Sequence, residues 1–203
     1  YKGQYHLFYQ CFPYAPQWGR MHWGHAVSKD LVNWEEKGIA LYPTKTDDRS
    51  GCFSGSAVEQ DGTMYLYYTG VNYLEEDPEN INHCKNDQFL SAQMMISSAD
   101  GMTFDNFKEK KTIIPPIAED KIGSKTHTRD PKVWRGKDAW YMVLGSSVDH
   151  KGRLLIYQSR DLQNWKYLSH VEKENFGWMW ECPDYFELDG KKFLSVSPQG
   201  LKR

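Results

Sequence analysis

Short apolar runs rich in aromatic and β-branched residues recur along the chain, each bounded by turn residues. Residues 5–9, 64–68 and 140–144 form aromatic runs, and each is followed by a second run, 22–27, 93–96 and 154–157. Such side chains suit a pleated, half-buried surface, so the runs predict strands. Lys2-Gly3, Asp61-Gly62, Gly136-Lys137-Asp138 and Asp189-Gly190 separate them. Asp-Gly between two β runs is a strong hairpin signal. No stretch keeps a helical period between caps, so the prediction is all-β.

A repeat organises the runs. Ser28-Lys29-Asp30-Leu31-Val32-Asn33-Trp34 matches Ser159-Arg160-Asp161-Leu162-Gln163-Asn164-Trp165, and Ser98-Ala99-Asp100-Gly101-Met102-Thr103-Phe104 is a degenerate copy. Each unit reads as strand, hairpin, aromatic strand, strand, Ser-x-Asp turn, edge strand. Four-stranded antiparallel units repeating about every 60 residues predict a β-propeller in preference to a sandwich or barrel. Unit two covers about 53–116, unit three about 128–171, and unit four opens near Trp180 and ends after its second strand. Unit one lacks its first strand. About three and a half units fall short of the four or so blades a closed propeller needs. The expectation is therefore that residues 1–203 are a partial propeller domain, with sequence missing at both ends. The polar stretch 72–92 interrupts unit two. It is expected to be a solvated surface loop, with a border to a substrate cleft as the sharper alternative. Trp34 and Trp165, repeated at turns, are expected in the core. The charges from Lys108 to Lys111 are expected at the surface.

Composition narrows the function. In 203 residues, 25 Lys and Arg face 27 Asp and Glu, a net charge of −2. No basic field exists to draw in nucleic acid or an acidic membrane surface. Aromatic residues make up 15% of the chain, which excludes disorder. No apolar run approaches the roughly 20 residues that span a bilayer. The four cysteines show no CxxC pair and are too few for a disulfide scaffold. His22 and His25 lie at odd spacing, on opposite faces of a strand, so no metal site is expected there. The chain has no glycosylation sequon and no signal peptide after Tyr1, which favours a cytoplasmic protein.

The first strand of each unit carries the candidate chemistry. Unit two begins Phe53-Ser54-Gly55-Ser56, unit three Arg129-Asp130-Pro131-Lys132, and unit four Glu181-Cys182-Pro183-Asp184. First strands line the central channel of a propeller, so Ser54, Arg129, Asp130 and Glu181 should converge. Two carboxylates facing one polar cavity are what glycoside hydrolysis requires: one gives a proton to the leaving oxygen, and another, ionised, attacks or stabilises the sugar cation. Cys182, beside Glu181, is expected to pack there, since a thiolate would meet a like charge.

These residues carry a resemblance. Tyr5-His6-Leu7-Phe8-Tyr9-Gln10, Trp23-Gly24-His25-Ala26, Phe53-Ser54-Gly55-Ser56, Arg129-Asp130-Pro131 and Trp180-Glu181-Cys182-Pro183-Asp184 resemble glycoside hydrolase family 32 over essentially the whole chain. Gln17-Trp18-Gly19-Arg20-Met21-His22-Trp23 is most like its bacterial sucrose-6-phosphate hydrolases. The resemblance implies a five-bladed propeller followed by a β-sandwich, and retaining hydrolysis of terminal β-fructofuranosyl bonds without a cofactor. It implies that Glu181 is the general acid/base, its proton affinity raised by neighbouring carboxylates. Asp130 would stabilise the transition state, and Gln10, Trp18, Phe53, Ser54 and Arg129 would line the fructose pocket. The family's nucleophilic Asp has no counterpart here and belongs upstream of Tyr1, so this polypeptide alone is expected to be inactive. The expected partner is a small sugar: sucrose, sucrose 6-phosphate or a fructooligosaccharide. Arg20, Lys125 and His127 are candidates to meet a phosphate. The alternatives are a non-catalytic carbohydrate-binding propeller, a levan or inulin hydrolase of the same family, and a five-bladed arabinanase.

Overall fold

The predicted runs pair into antiparallel sheets in the computed structural model, which describes residues 1–119 and 121–201. Sheet one joins β1 (Tyr5–Cys11), β2 (His22–Ser28) and β3 (Trp34–Leu41) in that order. Sheet two begins with β4 (Gly51–Gln60) and β5 (Thr63–Tyr73). A hairpin of β6 (Glu76–Asp77) and β7 (Asn80–Cys84) then projects before β8 (Phe89–Ser98), and β9 (Lys111–Ile114) completes the order β4-β5-β8-β9. Sheet three is a meander of β10 (Arg129–Arg135), β11 (Trp140–Val148), β12 (Lys151–Ser159) and β13 (Lys166–Glu172). The last sheet pairs β14 (Met179–Leu188) with β15 (Lys191–Gln199). Among the described residues, no helix is long and apolar enough to cross a membrane.

The middle strands are apolar on both faces because core lies on both faces. Leu66 and Tyr68 of β5 point to one side, where they pack with Trp23, Leu41 and Phe104 between sheets one and two. Tyr67 points the other way, to Met142, Leu144 and Leu155 of sheet three. Val143 and Leu154 in turn meet Trp180 of β14. Each fully buried side chain of this size contributes roughly 1.5–3 kcal/mol. Successive sheets therefore stack face to face, which sets their first strands side by side. Ser56 clips β4 to β10: its hydroxyl donates to the Pro131 carbonyl at 2.8 Å and accepts from the Val133 amide at 3.0 Å.

The repeated turns are built alike. Asp30 accepts from the amides of Val32 and Asn33 at 2.9 and 2.8 Å, and Asp161 from those of Gln163 and Asn164 at 3.0 and 2.8 Å. Leu31 and Leu162 hold left-handed backbone, φ 63° and 65°, at the position that Gly101 fills in the second unit. Of the two tryptophans expected in the core, Trp34 lies outside it and Trp165 packs against it. Trp34 is 38% exposed, its indole N–H reaching only back to the Leu31 carbonyl. Trp165 is half-buried against Tyr67. Lys110 corrects the expectation of a solvated charge cluster. Its side chain is fully buried against Asp48, at 2.6 Å, because the carboxylate and the Tyr42 carbonyl complete its hydrogen bonding inside the core.

Candidate active site

The three adjacent first strands share one irregularity. Each gains one residue relative to its partner strand, between Cys52 and Gly55, between Arg129 and Lys132, and between Glu181 and Asp184. A β-bulge of this kind bends the strand and re-aims the side chains within it. Here the bulges turn Phe53 and Ser54, Asp130, and Cys182 toward one cleft. Asp130 and Cys182 adopt left-handed backbone, φ 64° and 47°, in these bulges. Strain at non-glycine residues clusters where the surrounding structure enforces a functional geometry.

The cleft encloses about 480 Å³ and is lined by all seven residues predicted for it: Gln10, Trp18, Phe53, Ser54, Arg129, Asp130 and Glu181. Gln10 donates to the Cys52 carbonyl at 3.3 Å, and Ser54 donates to the Gln10 side-chain oxygen at 3.4 Å. Trp18 meets Phe53 edge-on, with ring centres 5.4 Å apart. Asp130 is 7% exposed and held from two sides. Its amide donates to Thr69 at 3.0 Å, and its carboxylate accepts the Cys182 amide at 2.8 Å. That last bond ties the carboxylate of β10 to the residue next to Glu181 on β14. Arg129 grips Glu181 Oε1 with Nη2 at 2.7 Å and Nε at 3.2 Å.

These contacts set the protonation of the two acids in opposite directions. Burial pushes the Asp130 carboxyl up, against the Cys182 amide and the Arg129 charge, which favour its ionised form. Burial also acts to raise Glu181. Hydrogen bonds from Gln199 and Arg129, with the charges of Arg129 and His127, outweigh it and hold the carboxyl below its ordinary range. In residues 1–203 the charged group nearest Glu181 is the Arg129 guanidinium, whereas the raised Glu181 is an expectation for the complete enzyme with its further carboxylate. The Cys182 thiol is pushed up to about 11 by burial and then by the charges of Asp130 and Glu181, which keeps it from acting as a nucleophile.

The residues 72–92 are not only a solvated loop. Their β6–β7 hairpin brings His83 and Cys84 to the cleft, the turn that follows it brings Asp87, and His127, Trp178 and Gln199 complete that side. Sequence reading missed most of these, the interruption of unit two being the one signal that pointed there. Of the three candidates to meet a phosphate, His127 lines the cleft. Arg20 instead pairs with Glu76 at 2.5 Å, and neither Arg20 nor Lys125 lines the cleft. His22 bonds the Arg20 carbonyl at 2.7 Å, whereas His25 meets His6 at 3.0 Å.

Residues 1–203 match the Glycosyl hydrolases family 32 N-terminal domain in full. The chain belongs to glycoside hydrolase family 32. It is 41% identical to a sucrose-6-phosphate hydrolase of Zymomonas mobilis, covering 100% of this chain and 39% of the relative. It is 39% identical to one from Bacillus subtilis, covering 100% of this chain and 40% of the relative. Among solved structures, a Bombyx mori family 32 beta-fructofuranosidase superposes with a TM-score of 0.83 at 41% identity, over 100% of this chain and 40% of that one. A variant of the Bombyx protein is seen in complex with sucrose. The chain thus spans about two-fifths of the length of the curated relatives it matches.

Proposed function

We propose that the protein carrying this family 32 chain hydrolyses terminal β-D-fructofuranosyl bonds with retention of configuration. The observation that carries this reading is the pairing of Asp130 and Glu181 in one cleft, joined through the Cys182 amide. Relatives named as sucrose-6-phosphate hydrolases and fructofuranosidases support it. In this reading the sheets are blades of a five-bladed catalytic propeller, working in the cytoplasm. A further strand lies along the free edge of β1 and brings the nucleophilic carboxylate.

Glu181 protonates the leaving oxygen and then deprotonates the attacking water. To do so it must hold a proton, which its bond to Arg129 opposes. A nucleophilic carboxylate about 5–5.5 Å away raises its proton affinity. A sugar that draws Arg129 onto its hydroxyls removes the suppression. Asp130 accepts hydroxyls of the fructosyl ring and stabilises its developing positive charge. Gln10, Trp18, Phe53 and Ser54 shape the ring pocket.

The test is hydrolysis of sucrose by the full-length protein. Glu181→Gln should lower the rate about 10²–10⁴-fold. A leaving group that needs no proton should restore its first step, while Asp130→Asn stays slow with every leaving group. Equal rescue of both variants would refute the assignment of roles. Sugar binding without hydrolysis in the full-length protein would favour a carbohydrate-binding module, for which a lasting Arg129–Glu181 ion pair is well suited.

A further inference from the structure

We propose that the leaving-group side of this cleft selects an uncharged sugar, and that Asp87 is the residue that turns away a phosphorylated one. The inference rests on the fructosidase reading and adds what lies beyond the cleaved bond. Glu181, as proton donor, marks the leaving oxygen. The fructosyl side holds Asp130, Gln10, Ser54 and Phe53, so the leaving group extends over the remaining wall. That wall is made of His127, Trp178, Phe89, the β6–β7 hairpin with His83, and the turn after it with Asp87.

His127 is held edge-on by Phe89 at 5.8 Å and Trp178 at 5.2 Å between ring centres. Burial first, and then the Arg129 charge, hold its imidazole below the ordinary range, which disfavours its cationic form. The Arg129 guanidinium is committed to Glu181 and, in the fructosidase reading, to the fructosyl hydroxyls, so it is not left over for a phosphate beyond the cleaved bond. The cations at the hairpin are engaged as well, Lys85 with Glu75 and Arg20 with Glu76. Asp87 differs: among the described residues its carboxylate accepts no hydrogen bond, it is exposed in the cleft, and its charge reaches His127.

The hairpin is also fixed at its base. Leu74 donates to the Gln88 carbonyl at 2.8 Å and Lys85 to the Glu75 carbonyl at 2.9 Å. Asn86 and Asp87 follow in left-handed backbone, φ 53° and 54°. A hexose hydroxyl can donate to the Asp87 carboxylate. A phosphate monoester brings a charge of about −1.5 to −2 toward it. At about 8 Å in a water-like dielectric, that repulsion disfavours the phosphorylated sugar roughly fivefold.

The test uses the full-length protein and measures kcat/KM for sucrose and for sucrose 6-phosphate, at low salt and near 0.15 M. Asp87→Asn keeps the size and tolerates the left-handed backbone. The wild type is expected to favour sucrose. Asp87→Asn should shift the ratio toward the phosphorylated sugar roughly fivefold at low salt, and less at 0.15 M, where the Debye length is about 8 Å. Asp87→Lys should shift it further. A wild type that prefers sucrose 6-phosphate, or a ratio that Asp87→Asn leaves unmoved, overturns the inference while the fructosidase reading stands. Hydrolysis of neither sugar overturns both.

Discussion

Lys110 carries its ammonium group into the core between sheets one and two, where both it and Asp48 are fully screened from water. Removing two ions from water costs several kcal/mol each, and only good geometry offsets it. Here Asp48 also accepts from the Tyr68 hydroxyl at 2.8 Å and from the amides of Thr44 and Lys45 at 2.9 and 2.8 Å. Lys110→Met has a similar reach but leaves Asp48 uncompensated. It should destabilise the protein by about 3–5 kcal/mol in denaturant unfolding, and adding Asp48→Asn should recover part of that. A loss below about 1 kcal/mol would show that the pair does not hold this core together. The misplacement of Lys110 in the sequence reading has a physical reason. Its partner lies 62 residues away, and nothing in a short run of charges announces it. Asp130 and Glu181 were legible at the same distance scale because the repeat supplied the long-range equivalence. The protonation of Glu181 was not, since it depends on where the Arg129 guanidinium points.

At the scale of the element, the site depends on strands that approach more closely than side chains allow. Gly145 of β11 lies opposite Arg129, and a Cβ there would stand 1.9 Å from the Trp180 carbonyl, one residue before Glu181. Gly70 holds the matching place opposite Cys52 in sheet two, with a Cβ 2.8 Å from the Asp47 carbonyl. Gly145→Ala must push β14 away from β11. It should cost about 1–3 kcal/mol of stability, as overpacking does, and lower kcat/KM because Glu181 moves with its strand. A variant with wild-type unfolding and wild-type kinetics would show that β14 slides without consequence. The strands themselves were readable from aromatic runs and Asp-Gly turns. The bulges were not, because one extra residue in a first strand leaves no mark in an apolar pattern. The β6–β7 hairpin escaped for a related reason: its polar face is turned toward the cleft, and in sequence that looks the same as a face turned toward solvent.

For the molecule as a whole, these groups predict how stability depends on pH. His25 is 1% exposed, stacked on Phe8 at 4.4 Å and bonded to His6, and burial first, then the His6 charge, lowers it to about 4. His6, His22 and His127 are also lowered, each mainly by burial. The unfolded chain takes up these protons near pH 6.5, before the folded protein does, so stability falls as pH drops from about 6.5 toward 4. His25 alone accounts for a loss on the order of 3 kcal/mol across that window. Asp30, Asp100 and Asp161 act in a second window. Turn amides hold each carboxylate well below its ordinary range, so their contribution is present above about pH 4 and is lost as pH falls through their lower folded values. Asp130 works in the opposite sense. Its folded value is raised by burial, so its contribution is present at acid pH and is lost as pH rises through that value. It opposes the losses of the second window but cannot reverse the first, where four histidines act together. Unfolding midpoints measured from pH 8 to pH 3 should therefore decline first through the histidine step and then, below about pH 4, enter the carboxylate step. His25→Phe, which keeps a ring against Phe8, should flatten the upper step and leave the lower one unchanged. An upper step as large in that variant as in the wild type would show that the His6–His25 pair does not set it.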